Sequence, residues 1–311
     1  MPKTATPIML TPHHLAAWLP RRDDHYHKYN FGHVLVVGGS FGKTGAPILA
    51  ALAAATAGAG LVTIATWQEN YAELVARTPV HLMTTTIEKL MLVSSKYDFS
   101  SLAKFDAVVI GPGLGTNERA QNFIRQLAAS QVAGKWVIDA DAIKLWPSSF
   151  YPRPLVFTPH LGELQARLAL FPKEEEVDGR PQELGLKFCR QFDLQDTQFL
   201  VLKSSQVLIF QQKELFACWD YPNSALAKAG SGDLLAGIMA ALWALPTKDL
   251  AQMVALAVGA HGLMGQQTAQ QVGAWGASAL TLLEFLPPVW QHLAAPKSKI
   301  KKIARKKNKK K

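Results

Sequence analysis

Cysteine is nearly missing from this chain: Cys189 and Cys218 are the only two in 311 residues. Two thiols cannot build a disulfide framework, and their spacing suits no thiolate metal centre. A reducing compartment is therefore expected, with the cytoplasm as the natural location. The amino-terminal stretch lacks the compact apolar run and small-residue cleavage site of a secretory signal and carries Lys3, His13, His14, Arg21 and Arg22 instead. Residues 45–66 are uncharged for about the length of a membrane helix. Pro47 and the Gly58-Ala-Gly60 break divide them into a helix and a following strand, which reads as core and not as a span. Acidic residues are absent from 296–311, where ten of the 33 Lys and Arg lie, leaving a body with 23 basic and 23 acidic residues. The formal charge of +10 thus belongs to a tail. Like charges repel and cannot bury apolar area, so the tail is expected to be disordered, with weak, salt-sensitive attraction to RNA or anionic surfaces as its one evident use. The eight tryptophans are too scattered to form a stacking platform for nucleic acid.

Apolar residues are plentiful, at 49% of the chain, and fall into short runs that alternate with helical patterns. Residues 34–37, 61–65, 107–110, 136–138, 155–157 and 199–203 read as strands, and 46–57 and 117–130 as helices between them. Continuous apolar runs of this length imply a mostly parallel sheet buried on both faces. Runs at 207–210 and 215–218 suggest a closing hairpin, and 248–271 and 277–286 two final helices. No linker divides the body, which predicts one domain over 1–295 with 296–311 as an appendage. Glycine loops follow several of these strands at their carboxyl ends, where α/β sheets bind ligands.

The richest loop is Asn223-Ser-Ala-Leu-Ala-Lys-Ala-Gly-Ser-Gly-Asp233, which runs directly into an apolar helix. Gly230, Ser231 and Gly232 can turn successive N–H groups toward one point at a helix start, a cradle for an anion. Asp233, in the first turn, is expected to be held ionised by the same field and could take a proton from a hydroxyl. A plain glycine turn with an Asp cap is the alternative. The loop Gly38-Gly-Ser-Phe-Gly-Lys-Thr44 falls one position short of a P-loop, because Val37 stands where the first glycine belongs. Gly111-Pro-Gly-Leu-Gly115 is a tight turn or a binding loop. His160 and Glu163, three apart after a strand, can face one ligand if a helical turn starts at Gly162. Lys203 ends an apolar strand, and the polar loop Ser204-Ser-Gln206 could hold a phosphate or ribose. His261, inside an apolar helical stretch, reads as a satisfied core residue.

Together these segments resemble the ADP- or ATP-dependent NAD(P)H-hydrate dehydratases of the ribokinase-like superfamily. The resemblance runs from about Leu15 to Trp290. It rests on Gly-Lys-Thr-Gly-Ala46, Ala-Gly-Ala-Gly-Leu-Val62, Gly-Pro-Gly-Leu-Gly115, Ile-Asp-Ala-Asp-Ala142, Thr-Pro-His-Leu-Gly-Glu163, Leu-Lys203 and the segment from Asn223 to Asp233. It implies an α/β/α sandwich, commonly oligomeric with a tetramer as the expectation, and magnesium accompanying ADP or ATP. The activity it implies is removal of water from the S form of hydrated NADH or NADPH, with no epimerase domain on this chain. By the same resemblance Ala46, Gly113, His160 and Asp233 would meet the hydrate, with Asp233 the catalytic base. Lys203, Ser204, Ser205, Gln206, Val207 and Gly232 would meet the nucleotide. Metal ligands are not implied. Ser204 and Val207 stand where the family usually has Gly and often Thr, and Ala229 where it has Gly. A small-alcohol kinase of the same fold would use the same cradle and acid, and a nucleotide-sensing binder that docks through its tail would use the site without turnover.

Overall fold

The computed structural model describes residues 6–93, 96–170, 179–247 and 249–295. The basic tail, 296–311, lies outside the described residues. In chain order the strands are β1 (Ile8–Met9), β2 (His33–Val37), β3 (Leu61–Thr66), β4 (Met83–Thr86), β5 (Leu92–Val93), β6 (Lys96–Tyr97), β7 (Ala107–Ile110), β8 (Lys135–Ile138), β9 (Leu155–Phe157), β10 (Gln198–Lys203), β11 (Val207–Gln211) and β12 (Glu214–Trp219). All but β5 and β6, a separate ribbon, join one sheet in the order β1-β12-β11-β10-β9-β8-β7-β2-β3-β4. Neighbours from β10 through β4 are parallel, and only β11 runs against its two neighbours.

The reason for this layering is visible in β2. Val34 and Val36 enter one hydrophobic core while Leu35 and Val37 enter the other, since successive side chains of a strand point to opposite faces. Both faces are therefore covered by helices, as the apolar runs imply. One core receives helices Gly45–Thr56, Ser231–Ala244 and Leu250–Gly276, and the other receives Glu118–Ala129, Leu161–Leu168 and Pro181–Gln191. Helix Ser231–Ala244 is buried at every position from Leu234 onward, so it crosses the middle of its layer. It lies very close to helix Gly45–Thr56: a Cβ on Gly237 would stand 2.0 Å from the Ala50 carbonyl oxygen, so only glycine permits this approach.

The helix expected at 248–271 spans Leu250–Gly276. It is capped by Asp249, whose side chain accepts from Gln252 N–H, and is broken at Gly273, where φ is 72°. The polar edge strand β4 and helix Pro181–Gln191 lack the apolar runs that mark the others. Among the described residues no helix is long and apolar enough to cross a membrane.

Candidate active site

Loops at the carboxyl edge of the sheet are joined to one another by main-chain bonds. Gly39 N–H donates to Pro112 O at 3.0 Å and Ser40 N–H to Gly113 O, while Gly115 N–H donates to an Asp141 carboxylate oxygen at 3.0 Å. This brings Gly113 to Ala46, whose Cβ would be 3.5 Å from one built on Gly113. One turn further along the same helix, the Leu49 side chain lies against Gly230. Ala46 and Gly113 thus border the turn that precedes Asp233.

Gly230 takes the left-handed conformation at φ 90°, closed to most side chains, and starts helix Ser231–Ala244. The next residue is anchored from outside. His261 Nε2 lies 3.0 Å from both Ser231 Oγ and Ser231 O. Burial pushes the His261 imidazole down to about 4, against the pull of its bond to Ser231, so the ring is neutral. A carbonyl can only accept, so Nε2 carries the proton. His261 is a satisfied buried histidine, as its setting in the sequence suggests, and it holds the glycine turn in place.

Beneath that turn lies an ion pair whose charges act on two further acids, Glu163 and Asp233. Asp139, at the end of β8 and 2% exposed, accepts on Oδ1 from Thr158 Oγ1 at 2.7 Å and from Lys203 Nζ at 3.1 Å. A Cβ on Gly232 would stand 3.1 Å from the same Nζ. Burial works to lower the Lys203 ammonium, but Asp139, Glu163 and Asp233 together raise it above its ordinary value, so it stays charged. Asp233 departs from the expectation of a carboxylate held ionised by the helix start. Burial pushes its carboxyl up to about 8, Asp139 and Glu163 push the same way, and Lys203 opposes them. Desolvation and like charge outweigh the helix field here.

His160 caps helix Leu161–Leu168: its Nδ1 accepts from Glu163 N–H at 3.2 Å, and its own N–H donates to Glu163 Oε2 at 2.9 Å. With Nδ1 an acceptor, the ring proton lies on Nε2, which is 3.6 Å from Glu163 Oε1. His160 bridges to Lys203 across the sheet edge. Both line a cleft of about 690 Å³ together with Ser204, Ser205, Val207 and Gly232. Gln206 is the exception in its loop, turning away to bond Asp220 at 2.8 Å. A larger recess of about 1060 Å³ opens elsewhere, lined by Arg21, Arg22, Phe31, Leu245 and Trp290 among others. Its lining includes none of the strand-end loop residues described above, whereas His160, Lys203 and Gly232 line the smaller cleft.

Asp139, Thr158 and His261 belong to this site although the motifs give them no role. Asp139 had one available signal: it ends an apolar strand at the ligand-binding edge, as Lys203 does. Its partner is 64 positions away, which no local pattern shows.

A parallel sheet between helical layers, with a glycine turn and acid opening a buried helix above a strand-end cation, defines the ribokinase-like class. A structure from Enterococcus faecalis described as a ribokinase-like superfamily protein matches with TM-score 0.76 and 29% identity, over 93% of this chain and 97% of that one. A Bacillus subtilis ADP/ATP-dependent NAD(P)H-hydrate dehydratase co-crystallised with ATP/Mg2+ matches with TM-score 0.75 and 26% identity, over 94% and 100%. Residues 34–288 match the family model described as NAD(P)H-hydrate dehydratase, and the chain belongs to that family. The ADP-dependent (S)-NAD(P)H-hydrate dehydratase of Listeria monocytogenes is 31% identical over 84% of this chain and 89% of its own length. The bifunctional NAD(P)H-hydrate repair enzyme of Moorella thermoacetica is 34% identical over 89% of this chain, which spans 53% of that protein.

Proposed function

We propose that the protein dehydrates the S form of hydrated NADH or NADPH at the expense of ADP or ATP, with Asp233 as general base. The observation that carries this is the position of Asp233, on the first turn of a buried helix, after a glycine turn and within the field of Lys203 and Glu163. Hydroxide leaves poorly, so the 6-hydroxyl must first become an ester. Asp233 takes the hydroxyl proton as that oxygen bonds to the terminal phosphorus, and the bond to the nucleotide's bridging oxygen breaks. The N–H groups around Gly230 to Gly232 hold the phosphoryl oxygens during transfer, which depends mainly on positioning and charge. The ring-nitrogen lone pair then expels phosphate from C6, and loss of a proton from C5 restores the dihydropyridine. ADP leaves as AMP, or ATP as ADP, with free phosphate.

His160 offers its Nε2–H to the hydrate, while Ala46 and Gly113 let the ligand approach the main chain. Ser204, Ser205 and Val207 face the nucleotide. Among the described residues no three potential ligands converge on a metal site. Magnesium commonly keeps several waters and is bound through substrate phosphates and one or two carboxylates. Carried on the nucleotide, the ion would neutralise phosphoryl charge.

Incubation with S-hydrated NADH and each nucleotide tests the assignment. Recovery of dihydronicotinamide absorbance with one phosphate released per turnover is expected. A stable phosphate ester would indicate an alcohol kinase instead, and no turnover of any substrate a binder. A cytoplasmic site of action accords with the two cysteines, both buried and unpaired. A homo-oligomer accords with the near-complete exposure of Phe41, Val80 and Trp275, and light scattering would show whether it is a tetramer.

A further inference from the structure

We infer that Asp139 is a positioning residue: held by Thr158, it fixes the Lys203 ammonium under the glycine turn, where that cation meets the terminal phosphoryl group of the nucleotide. The inference rests on the dehydratase assignment and places Lys203 at the phosphate end of the nucleotide.

Three observations lead there. Lys203 Nζ sits 3.1 Å from where a side chain at Gly232 would begin, so the ammonium lies against the first turn of the helix that follows the glycine turn. Its side chain is 21% exposed, so it opens on the cleft without being free in solvent. Asp139 is buried, and both Thr158 and Lys203 point at the same Oδ1. A buried ion pair is seldom better for stability than well-packed apolar residues, so stability alone gives little reason for this one. The residue that follows is also strained. Ala140 has φ 48° and ψ −123°, a conformation costly for a residue with a side chain, and such strain concentrates at functional positions.

The pair has a second effect on the base. A lysine stem is long and flexible, and Glu163 and Asp233 are both near enough to influence this ammonium. Without Asp139 the cation would swing to Asp233 and pair with the carboxylate that must accept a proton. Asp139 keeps the positive charge at the phosphoryl group and leaves Asp233 open to the hydroxyl.

A double-mutant cycle tests this on the full chain. Asp139→Asn and Lys203→Met should each lower kcat on the order of 10²-fold, and the double variant should be no worse than Lys203→Met alone, because one residue acts through the other. Calorimetry should show both single variants losing affinity for ADP while keeping that for AMP, which lacks the phosphoryl group transferred. Thr158→Val should repeat the Asp139→Asn pattern more weakly, and Thr158→Ser should restore it, which covers the case of an Asp139→Asn chain that does not fold. Additive losses, full activity in Asp139→Asn, or equal losses of ADP and AMP affinity would overturn the inference. The binding measurements need no hydrated substrate, so they fail independently of the dehydratase assignment.

Discussion

The sharpest consequence of the site is a pH profile. Asp233 must be ionised to accept a proton, yet burial, Asp139 and Glu163 hold its carboxyl up to about 8 against the pull of Lys203. A carboxyl at that value is about 1% ionised at pH 6, about 9% at pH 7 and half ionised at pH 8. Since kcat/KM reports the free enzyme, it should rise roughly tenfold from pH 6 to 7 and about fivefold more from pH 7 to 8. Initial rates of dihydronicotinamide recovery at low hydrate concentration measure this directly. Asp233→Asn supplies the control, with turnover lower by a factor on the order of 10² to 10⁴ and no rising limb. The same shift sets the sign for stability. Between the ordinary carboxyl value and about 8 the folded chain binds the proton and the unfolded chain does not, so this group's contribution is lost as pH rises through that window. The Asn variant should lose less stability with rising pH across that window than the parent does. A flat kcat/KM from pH 6 to 8, or full turnover in Asp233→Asn, would refute the reasoning.

Gly237→Ala sets a Cβ 2.0 Å from the Ala50 carbonyl oxygen, and thermal melts should show a loss on the order of 1–3 kcal/mol as the two helices separate. His261→Phe removes the donor that anchors Ser231 and leaves its oxygens without that partner; nucleotide KM should rise, with a stability loss of about 1–3 kcal/mol in chemical denaturation. Deleting residues 296–311 removes ten positive charges, so retention on RNA at low salt should disappear while hydrate turnover is unchanged.

Much of this architecture is legible in short apolar runs. Val34 to Val37 can be continuous because both faces of β2 meet helices, and the same holds for Ala107 to Ile110. The strand β4 is different. Met83-Thr-Thr-Thr86 sits at the sheet edge, where one face and one ladder are open, so it needs no apolar run and leaves no mark. The two-residue β1 exists only because β12 is there to pair with it. In the site, the glycine turn and Asp233 can be read from one segment, since turn chemistry is local. The ionisation of Asp233 cannot. Burial and the charges of Asp139, Glu163 and Lys203, which arrive from two strand ends and the start of another helix, set its ionisation, and reasoning from its own helix start alone gives the wrong direction. The role of His261 is hidden for a related reason: a histidine in an apolar helix looks the same whether it braces a ligand loop or fills space.

Because β11 runs against β10, the chain returns after only three residues, and Lys203 stays paired with Val207 across the ladder. The peptide groups of Ser204 to Gln206 are therefore held by the hairpin closure together with the Ser204 hydroxyl, which donates to the Gln206 carbonyl. A grip on a nucleotide through those amides would depend on the path of the turn more than on most of its side chains. Insertions in that turn would be far less forgiving than substitutions, since a single added residue would break the closure that the opposed strands enforce.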